Sequence, residues 1–175
     1  MTQRDTFVPT PITEIQDNPF QLIGREWMLV TAGEPSALNT MTAAWGGLGY
    51  LWNRDVCFCF VRPNRYTYEF TEKHAYFSLC FFPEDRRETL KICGSRSGRD
   101  VDKLKLTGLE PLWDREAPYF AQARLAMVCK KIYYADINPN RFIDANLTGL
   151  YPEKQYHRLY VGEILHCLVK KKDLL

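Results

Sequence analysis

The chain carries six β-type segments, and the stretches between them are too short or too irregular to be the crossover helices of a parallel sheet. The predicted strands cover residues 27–31, 40–52, 56–61, 76–82, 121–129 and 156–169. Residues 66–74 predict one or two helical turns, and residues 84–93 predict a longer helix that ends at Gly94. This order favours a mainly β protein, an antiparallel barrel or sandwich with short peripheral helices.

Details within these segments sharpen the prediction. Residues 56–61 and 76–82 are continuous apolar runs, which is typical of strands buried on both faces. Three glycines within residues 46–49 predict a bulge, a bend, or the close approach of a backbone or a ligand. The alternation that starts at Ala121 changes phase after Lys130-Lys131, which predicts a β-bulge there.

Composition narrows the class of protein. The 175 residues fit a single domain over residues 1–175, with residues 1–20 as an N-terminal extension. A net charge of +2 argues against nucleic acid as a partner. The N-terminal stretch lacks the pattern of a secretory signal, and the longest apolar run is too short to span a membrane. We therefore expect a cytoplasmic protein without a membrane partner.

The cysteines and histidines do not form metal or disulfide motifs. Six cysteines are scattered through apolar stretches without any C-x-x-C, so we expect buried, reduced thiols. Three histidines spread over the chain make a histidine-rich metal site improbable. Of these, His157 is of interest because it stands at the start of the last predicted strand.

Catalytic and nucleotide motifs of the common kinds are missing from the sequence. Gly46-Gly47-Leu48-Gly49 does not continue to the third glycine of a dinucleotide fingerprint, because Trp52 occupies that place. Walker, G-x-S-x-G and H-E-x-x-H motifs do not occur. No catalytic acid, base or nucleophile is predicted.

Residues 62–68 form the first candidate binding segment. Arg62, Arg65, Tyr66 and Thr67 place two guanidinium groups and two hydroxyls at a predicted helix start, directly after a buried strand. Planar donors, hydroxyls and free helix N–H groups are what a phosphate requires. An ordinary polar turn with solvated arginines explains the same residues.

Two further segments complement the first. Residues 93–100 include Ser97, Gly98 and Arg99, which suit either an anion-binding nest or a flexible connection between helices. Residues 39–45 offer small side chains and hydroxyls along which a flat ring could lie, although plain strand packing explains them almost as well. The candidate residues there are Asn39, Thr40, Met41, Thr42, Ala43 and Trp45.

Four strings in order carry a family resemblance: W-M-L-V-T-A-G, N-T-M-T-A-A-W-G-G-L-G, R-P-N-R-Y-T-Y-E-F and C-G-S-R-S-G-R-D-V-D-K. They resemble the flavin reductase-like, FMN-binding split-barrel family, and within it the flavoredoxin-like branch. The resemblance runs from about Arg25 to the last strand, where H-R-L-Y-V-G-E-I also fits. Ala44 departs from the pattern, because relatives often have Ser there.

The resemblance implies an antiparallel split barrel that forms a homodimer with FMN near the subunit interface. It implies that residues 39–45 follow the isoalloxazine and ribityl chain, and that Arg62, Arg65, Tyr66 and Thr67 hold the phosphate. Ser97, Gly98 and Arg99 would close over the site.

The resemblance also implies an NAD(P)H-dependent flavin reductase, in which the nicotinamide supplies hydride to the flavin and a second acceptor takes the electrons. The alternatives are an electron carrier of the flavoredoxin type, without nicotinamide oxidation of its own, and a flavin-binding scaffold without redox work.

Overall fold

The computed structural model describes residues 7–171, and antiparallel β-structure is their principal secondary structure. The strands are β1 (Phe7–Pro9), β2 (Met28–Glu34), β3 (Ala37–Ala43), β4 (Gly46–Leu51), β5 (Arg54–Val61), β6 (Tyr76–Phe81), β7 (Pro111–Leu112), β8 (Tyr119–Phe120), β9 (Leu125–Asp136) and β10 (Arg158–Lys170). The α-helices are α1 (Pro19–Gln21), α2 (Tyr66–Lys73), α3 (Arg87–Ser95) and α4 (Lys103–Thr107). Short 3₁₀ turns cover Ile12–Glu14, Glu84–Arg86, Pro139–Arg141 and Ala145–Leu150, and a π-helical turn covers Leu22–Glu26.

One curved sheet organises the molecule. Its strands follow the order β3-β2-β6-β9-β10-β5-β4, and every pairing along this path is antiparallel. The short β1 pairs with the end of β10, while β7 and β8 form a separate two-stranded ribbon. The sheet does not close, so β3 and β4 are its two edges even though only Ala44 and Trp45 separate them along the chain.

Both faces of the central strands are buried, because the chain packs a separate apolar cluster against each. Met28, Leu79 and Met127 belong to one cluster. Cys80 and Ala126, next to Leu79 and Met127 in β6 and β9, belong to the other cluster, to which α3 and the β7–β8 ribbon contribute. Successive side chains of β2, β6 and β9 therefore point alternately into one apolar cluster and into the other.

The mainly β class predicted from the strand pattern is confirmed, and several details agree with it. The predicted bulge lies at Ile132, where the β9–β10 register shifts between Lys131 and Tyr133. All six cysteines are free and buried. Residues 76–82 are buried on both faces except for Tyr76, which is half-buried.

Other boundaries differ from the prediction for local reasons. The strand expected from Ala121 begins only at Leu125, because the preceding residues turn out of the β8 ribbon. Strands β1, β7 and β8 were not predicted, since two or three residues carry no periodic signal. The N-terminal extension contributes β1, and its residues 1–6 lie outside the described part.

Two glycines mark close approaches between neighbouring elements. Helix α3 continues through Gly94 to Ser95; an added Cβ at Gly94 would lie 3.2 Å from Thr42 Cβ, so the glycine lets α3 pack against β3. At Gly46 a Cβ would lie 2.5 Å from the Phe58 carbonyl oxygen. The glycine-rich stretch therefore permits β4 to approach the β5 backbone, which is one of the explanations that its sequence suggests.

Candidate functional site

The unpaired edge of β3 is the starting point of the site. Thr40 stands opposite Thr31 on β2, and the two hydroxyl oxygens lie 2.8 Å apart. The Thr40 carbonyl oxygen, however, accepts a hydrogen bond from Lys103 Nζ at 2.7 Å and so faces away from β2. In an antiparallel pair the outward-facing residues alternate, so Thr42 also presents its backbone groups to the open edge.

A small cavity rich in hydrogen-bond donors lies beside this edge. Its volume is about 110 Å³. Its lining residues are Met41, Asn64, Arg65, Tyr66, Thr67, Cys93, Arg96, Ser97, Gly98 and Lys103. Three cationic side chains line it, and among the described residues no carboxylate does. The cavity is therefore suited to an anion.

Helix α2 adds backbone donors to this cavity. Its N-cap residue is Arg65, and no side chain caps the first turn, which leaves early N–H groups free. Thr67, in that first turn, is 1% exposed and its hydroxyl oxygen accepts from Asn39 Nδ2 at 2.7 Å. The hydroxyl hydrogen of Thr67 stays available to a ligand.

The loop at Gly98 closes one side of the cavity. A Cβ at Gly98 would lie 2.0 Å from Asn39 Oδ1 and 3.1 Å from Tyr66 Cδ1. Only glycine fits there without moving its neighbours, so the loop comes down closely onto β3 and α2.

Lys103 is a buried cation at the centre of the site. It is 6% exposed, and Nζ donates to the carbonyl oxygens of Thr40 at 2.7 Å and Cys93 at 2.9 Å. Burial lowers the pKa of Lys103, and the Arg65 guanidinium lowers it further although Cys93 opposes them. An ammonium group has three N–H donors. A third donor remains for an anion, whose charge would favour the protonated amine.

A second cavity of about 280 Å³ continues along β3 toward its C-terminal end. It is lined by Met41, Thr42, Ala43, Ala44, Trp45, Phe60, Arg62, Arg65 and His157. Met41 and Arg65 line both cavities, so the two form one groove. Donors dominate one end of this groove, and aromatic rings dominate the other.

His157 is the polar anchor of the aromatic end. Its Nε2 lies 3.4 Å from Arg62 Nε, and its Nδ1 lies 2.9 Å from the Tyr151 hydroxyl. The Trp45 ring packs on the imidazole at 4.9 Å between centroids. Burial, reinforced by Arg62 and Arg65, lowers the pKa of His157 to about 4. The neutral ring therefore accepts from Arg62 and donates its Nδ1 hydrogen to Tyr151.

Two more cavities extend the groove at its ends. Beyond Trp45 and Phe60 lies an apolar cavity of about 260 Å³, covered by residues 137–151. At the opposite end of β3 lies a cleft of about 560 Å³ that includes Asn39, Thr40 and Trp113. The cleft shares Gly98 and Lys103 with the donor-rich cavity.

The structure brings most of the predicted site residues to this groove. Met41, Thr42, Ala43 and Trp45 line the aromatic end, and Arg65, Tyr66, Thr67, Ser97 and Gly98 line the donor-rich end. Ala44, the departure from the family pattern, lines the aromatic end with its half-buried methyl group.

Four of the predicted site residues differ from the prediction in their position or their contacts. Arg62 lies at the aromatic end, where it donates to His157 and to the Leu150 carbonyl, and not in the donor-rich cavity. Arg99 pairs with Glu69 and stacks on Tyr66 from outside, so it borders only the cleft. The Thr40 hydroxyl and the Asn39 amide hydrogen-bond within the protein and support their neighbours.

Sequence reasoning missed Lys103, Arg96 and Phe60. Lys103 closes the last of the four strings, yet a lysine at the start of a polar helix is indistinguishable from a surface residue before folding. Phe60 was assigned to a strand buried on both faces. In the structure Phe58 and Phe60 are half-buried, and Phe60 lines the groove instead of a core.

Two other kinds of site find no support in the part of the chain that the structure describes. No group of three or more histidine, cysteine or acidic side chains is placed to hold a metal ion within residues 7–171. Over the same residues, no helix has the length and apolar character needed to cross a membrane.

An unclosed antiparallel barrel with a donor-rich groove along one free strand edge defines the split-barrel class of fold. The chain belongs to the family of the flavin reductase like domain, whose sequence model matches residues 20–175. No curated protein matches the chain.

Solved structures share this fold at low sequence identity. Flavoredoxin from Methanosarcina acetivorans superposes with a TM-score of 0.68 at 21% identity, over 86% of this chain and 71% of that one. The FMN-binding domain of a flavin reductase-like enzyme from Shewanella baltica has a TM-score of 0.68 at 19% identity, over 95% and 78%. An NADH:FAD oxidoreductase from Streptomyces globisporus has a TM-score of 0.62 at 14% identity, over 81% and 73%.

Because His157 is neutral in the folded chain, the free energy of unfolding should depend on pH. The pKa of His157 is about 4 in the folded chain and 6.5 for the free side chain. Between these two pH values the unfolded chain therefore binds a proton at His157 that the folded chain does not bind. The stability present above pH 6.5 is lost as the pH falls toward 4, by about 1–3 kcal/mol. Urea unfolding of the wild type and of His157→Gln, at several pH values, measures it. The glutamine variant should lose less stability over this range, and parallel pH profiles would contradict the assignment.

Proposed function

We propose that the groove binds FMN and that the protein is an NAD(P)H-dependent flavin reductase. The observation that carries the proposal is the change of chemistry along the free edge of β3. Cations and free N–H groups dominate one end of the groove, and aromatic and small apolar side chains, together with Arg62, line the other. FMN has the same order, a phosphate dianion joined through a polyol chain to a flat ring.

The donor-rich end supports the phosphate assignment. Arg65, Arg96 and Lys103 supply positive charge, while Ser97, Thr67 and the first turn of α2 supply neutral donors. Arg65 already donates to the Gly94 carbonyl oxygen at 3.1 Å, which orders its guanidinium near the cavity. Several donors held by the fold bind an anion with little ordering cost.

The aromatic end supports the ring assignment. Thr42 presents backbone groups at the strand edge, where they can hydrogen-bond the polar edge of a flavin ring. Trp45 and Phe60 provide apolar walls, and the Arg62 guanidinium lies where negative charge of a reduced ring would be stabilised. These residues bind, orient and exclude water.

A bound flavin would supply the redox chemistry, accepting hydride from a nicotinamide and passing electrons to a second acceptor. The protein then needs no catalytic acid or base of its own, which agrees with the sequence. His157 stays neutral near pH 7, so it acts as a hydrogen-bonding spacer between Arg62 and Tyr151 and holds the guanidinium in place.

We also propose that the protein is a cytoplasmic homodimer whose second copy covers the open aromatic end. Trp45 is 42% exposed there, and Leu147 and Leu150 are likewise exposed at the rim of the adjoining apolar cavity. A second subunit would bury this apolar surface and shield the ring from water. Sedimentation velocity of the flavin-loaded protein should give a dimer, and a monomer that retains full flavin affinity would contradict this arrangement.

Removal of the Arg65 guanidinium should weaken phosphate binding. We expect Arg65→Ala to raise the Kd for FMN by about ten- to a hundredfold, because a charge-assisted hydrogen bond contributes about 1.5–3 kcal/mol. Riboflavin lacks the phosphate, so its Kd should change little. Isothermal titration calorimetry with both flavins measures the difference. Arg25→Ala, an exposed arginine outside the groove, is the matched control; equal losses for both flavins would show that Arg65 does not bind phosphate.

The reductase assignment predicts a coloured protein that a nicotinamide can bleach. The purified protein, or the protein supplied with FMN, should absorb in the visible range. Addition of NADH or NADPH without oxygen should then reduce the flavin within seconds. Colour without bleaching would favour the electron carrier of the flavoredoxin type, and protein that takes up no FMN would reject flavin binding altogether.

A further inference from the structure

The groove does not end at the donor-rich cavity. The cleft of about 560 Å³ continues it along the N-terminal half of β3, and Gly98 and Lys103 line both spaces. Strand β3 has seven residues and rises about 3.4 Å per residue, so its free edge extends roughly 20 Å. A ligand that follows this edge can therefore pass from the aromatic end, through the donor-rich cavity, into the cleft.

We infer that the cleft binds the adenosine monophosphate half of FAD, and that this chain prefers FAD to FMN. The inference rests on the flavin-binding function proposed above and specifies which flavin the same site holds. Lys103 is the central observation, because this one buried lysine lines both the cavity assigned to the first phosphate and the cleft beyond it. A pyrophosphate places two phosphates in neighbouring positions, which suits a cation shared between two spaces.

The walls of the cleft match an adenosine group. Trp113 is half-buried in the lining, and no aromatic ring or cation stacks on it among the residues that the structure describes. Trp113, Pro35 and Pro111 give the cleft the apolar wall that a purine base would contact.

Charged groups in the cleft are of both signs. Arg99 and Lys103 are the cations, and Asp100 and Asp102 are the carboxylates. Asp102 already accepts from the Lys105 backbone N–H at 3.1 Å, as the N-cap of α4. Asp100 is exposed, and its carboxylate is a suitable acceptor for ribose hydroxyl groups.

A nicotinamide dinucleotide also carries adenosine, but its use of the cleft is less compatible with the geometry. Its pyrophosphate would compete with the flavin phosphate for Lys103, which donates two of its three N–H groups to protein carbonyls. FAD brings both phosphates to Lys103 in one covalently joined group, so no second molecule competes for the remaining N–H. The experiment separates the two sources.

The test compares FAD with FMN in the full-length protein freed of flavin. The Kd for each flavin is measured by calorimetry for the wild type, for Trp113→Ala and for Trp52→Ala. Trp52 is a partly exposed tryptophan of the β4–β5 hairpin outside the cleft, so it is the matched control. Thermal unfolding verifies that each variant is folded.

We expect the wild type to bind FAD about tenfold or more tightly than FMN, since stacking of one base contributes about 1–3 kcal/mol. Trp113→Ala should abolish most of this preference and leave the Kd for FMN unchanged, and Trp52→Ala should change neither. Equal affinities in the wild type would overturn the inference, and so would equal weakening of both flavins by Trp113→Ala.

The remaining outcomes are also decisive. If Trp113→Ala raises the KM for NADH while the FAD-to-FMN ratio stays as in the wild type, the cleft holds the nicotinamide dinucleotide and the inference is wrong. Failure of the wild type to bind either flavin would reject the proposed function itself. Binding of FMN without a preference for FAD would reject only the present inference.

Discussion

The unpaired edge of β3 is the constraint on which the rest of this structure depends. If β3 paired with β4, the sheet would close and the backbone groups of Thr40 and Thr42 would be used in strand pairing. The two residues between these strands instead lead the chain across to β5, where Gly46 permits close contact with the Phe58 carbonyl. The gap that remains is the groove.

An open strand edge inside a folded protein needs polar partners, because a buried backbone group without a hydrogen bond is costly. Lys103 satisfies part of this need by donating to the Thr40 carbonyl, and it brings a positive charge into the groove at the same time. Burial of an ammonium group is itself unfavourable, as its lowered pKa indicates. An anionic ligand would offset that cost, so the same residue supports the sheet and favours the proposed cofactor.

Much of this arrangement could be predicted from the sequence. Alternating and continuous apolar runs predicted the principal strands, and the bulge near Lys131 followed from a change of phase. The cluster at Arg62, Arg65, Tyr66 and Thr67 was predicted as an anion site because donors and a helix start are adjacent in the chain, and all but Arg62 line the donor-rich cavity. Strands, bulges and donor clusters of this kind can be predicted locally, since the residues that form them are neighbours both in sequence and in space.

The rest depended on contacts between distant segments. Arg62 and Arg65 look equivalent in the chain, yet Arg62 turns toward His157, ninety-five positions away, and Arg65 toward the end of α3. Phe60 gives an apolar signal whether it faces a core or a groove. Periodicity reports only that a face is apolar, and it does not report what covers that face.

The amino-acid pattern by itself determined that this chain forms antiparallel β-structure with two apolar faces, six reduced thiols and a donor-rich turn after β5. Only the tertiary structure decided that the sheet stays open, that Lys103 lies buried at its free edge, and that three cavities include residues of that edge strand. The reason is that strand propensity and local charge are properties of neighbouring residues. The gap between β3 and β4 results from how the strands and helices of residues 7–171 pack, which no single segment encodes.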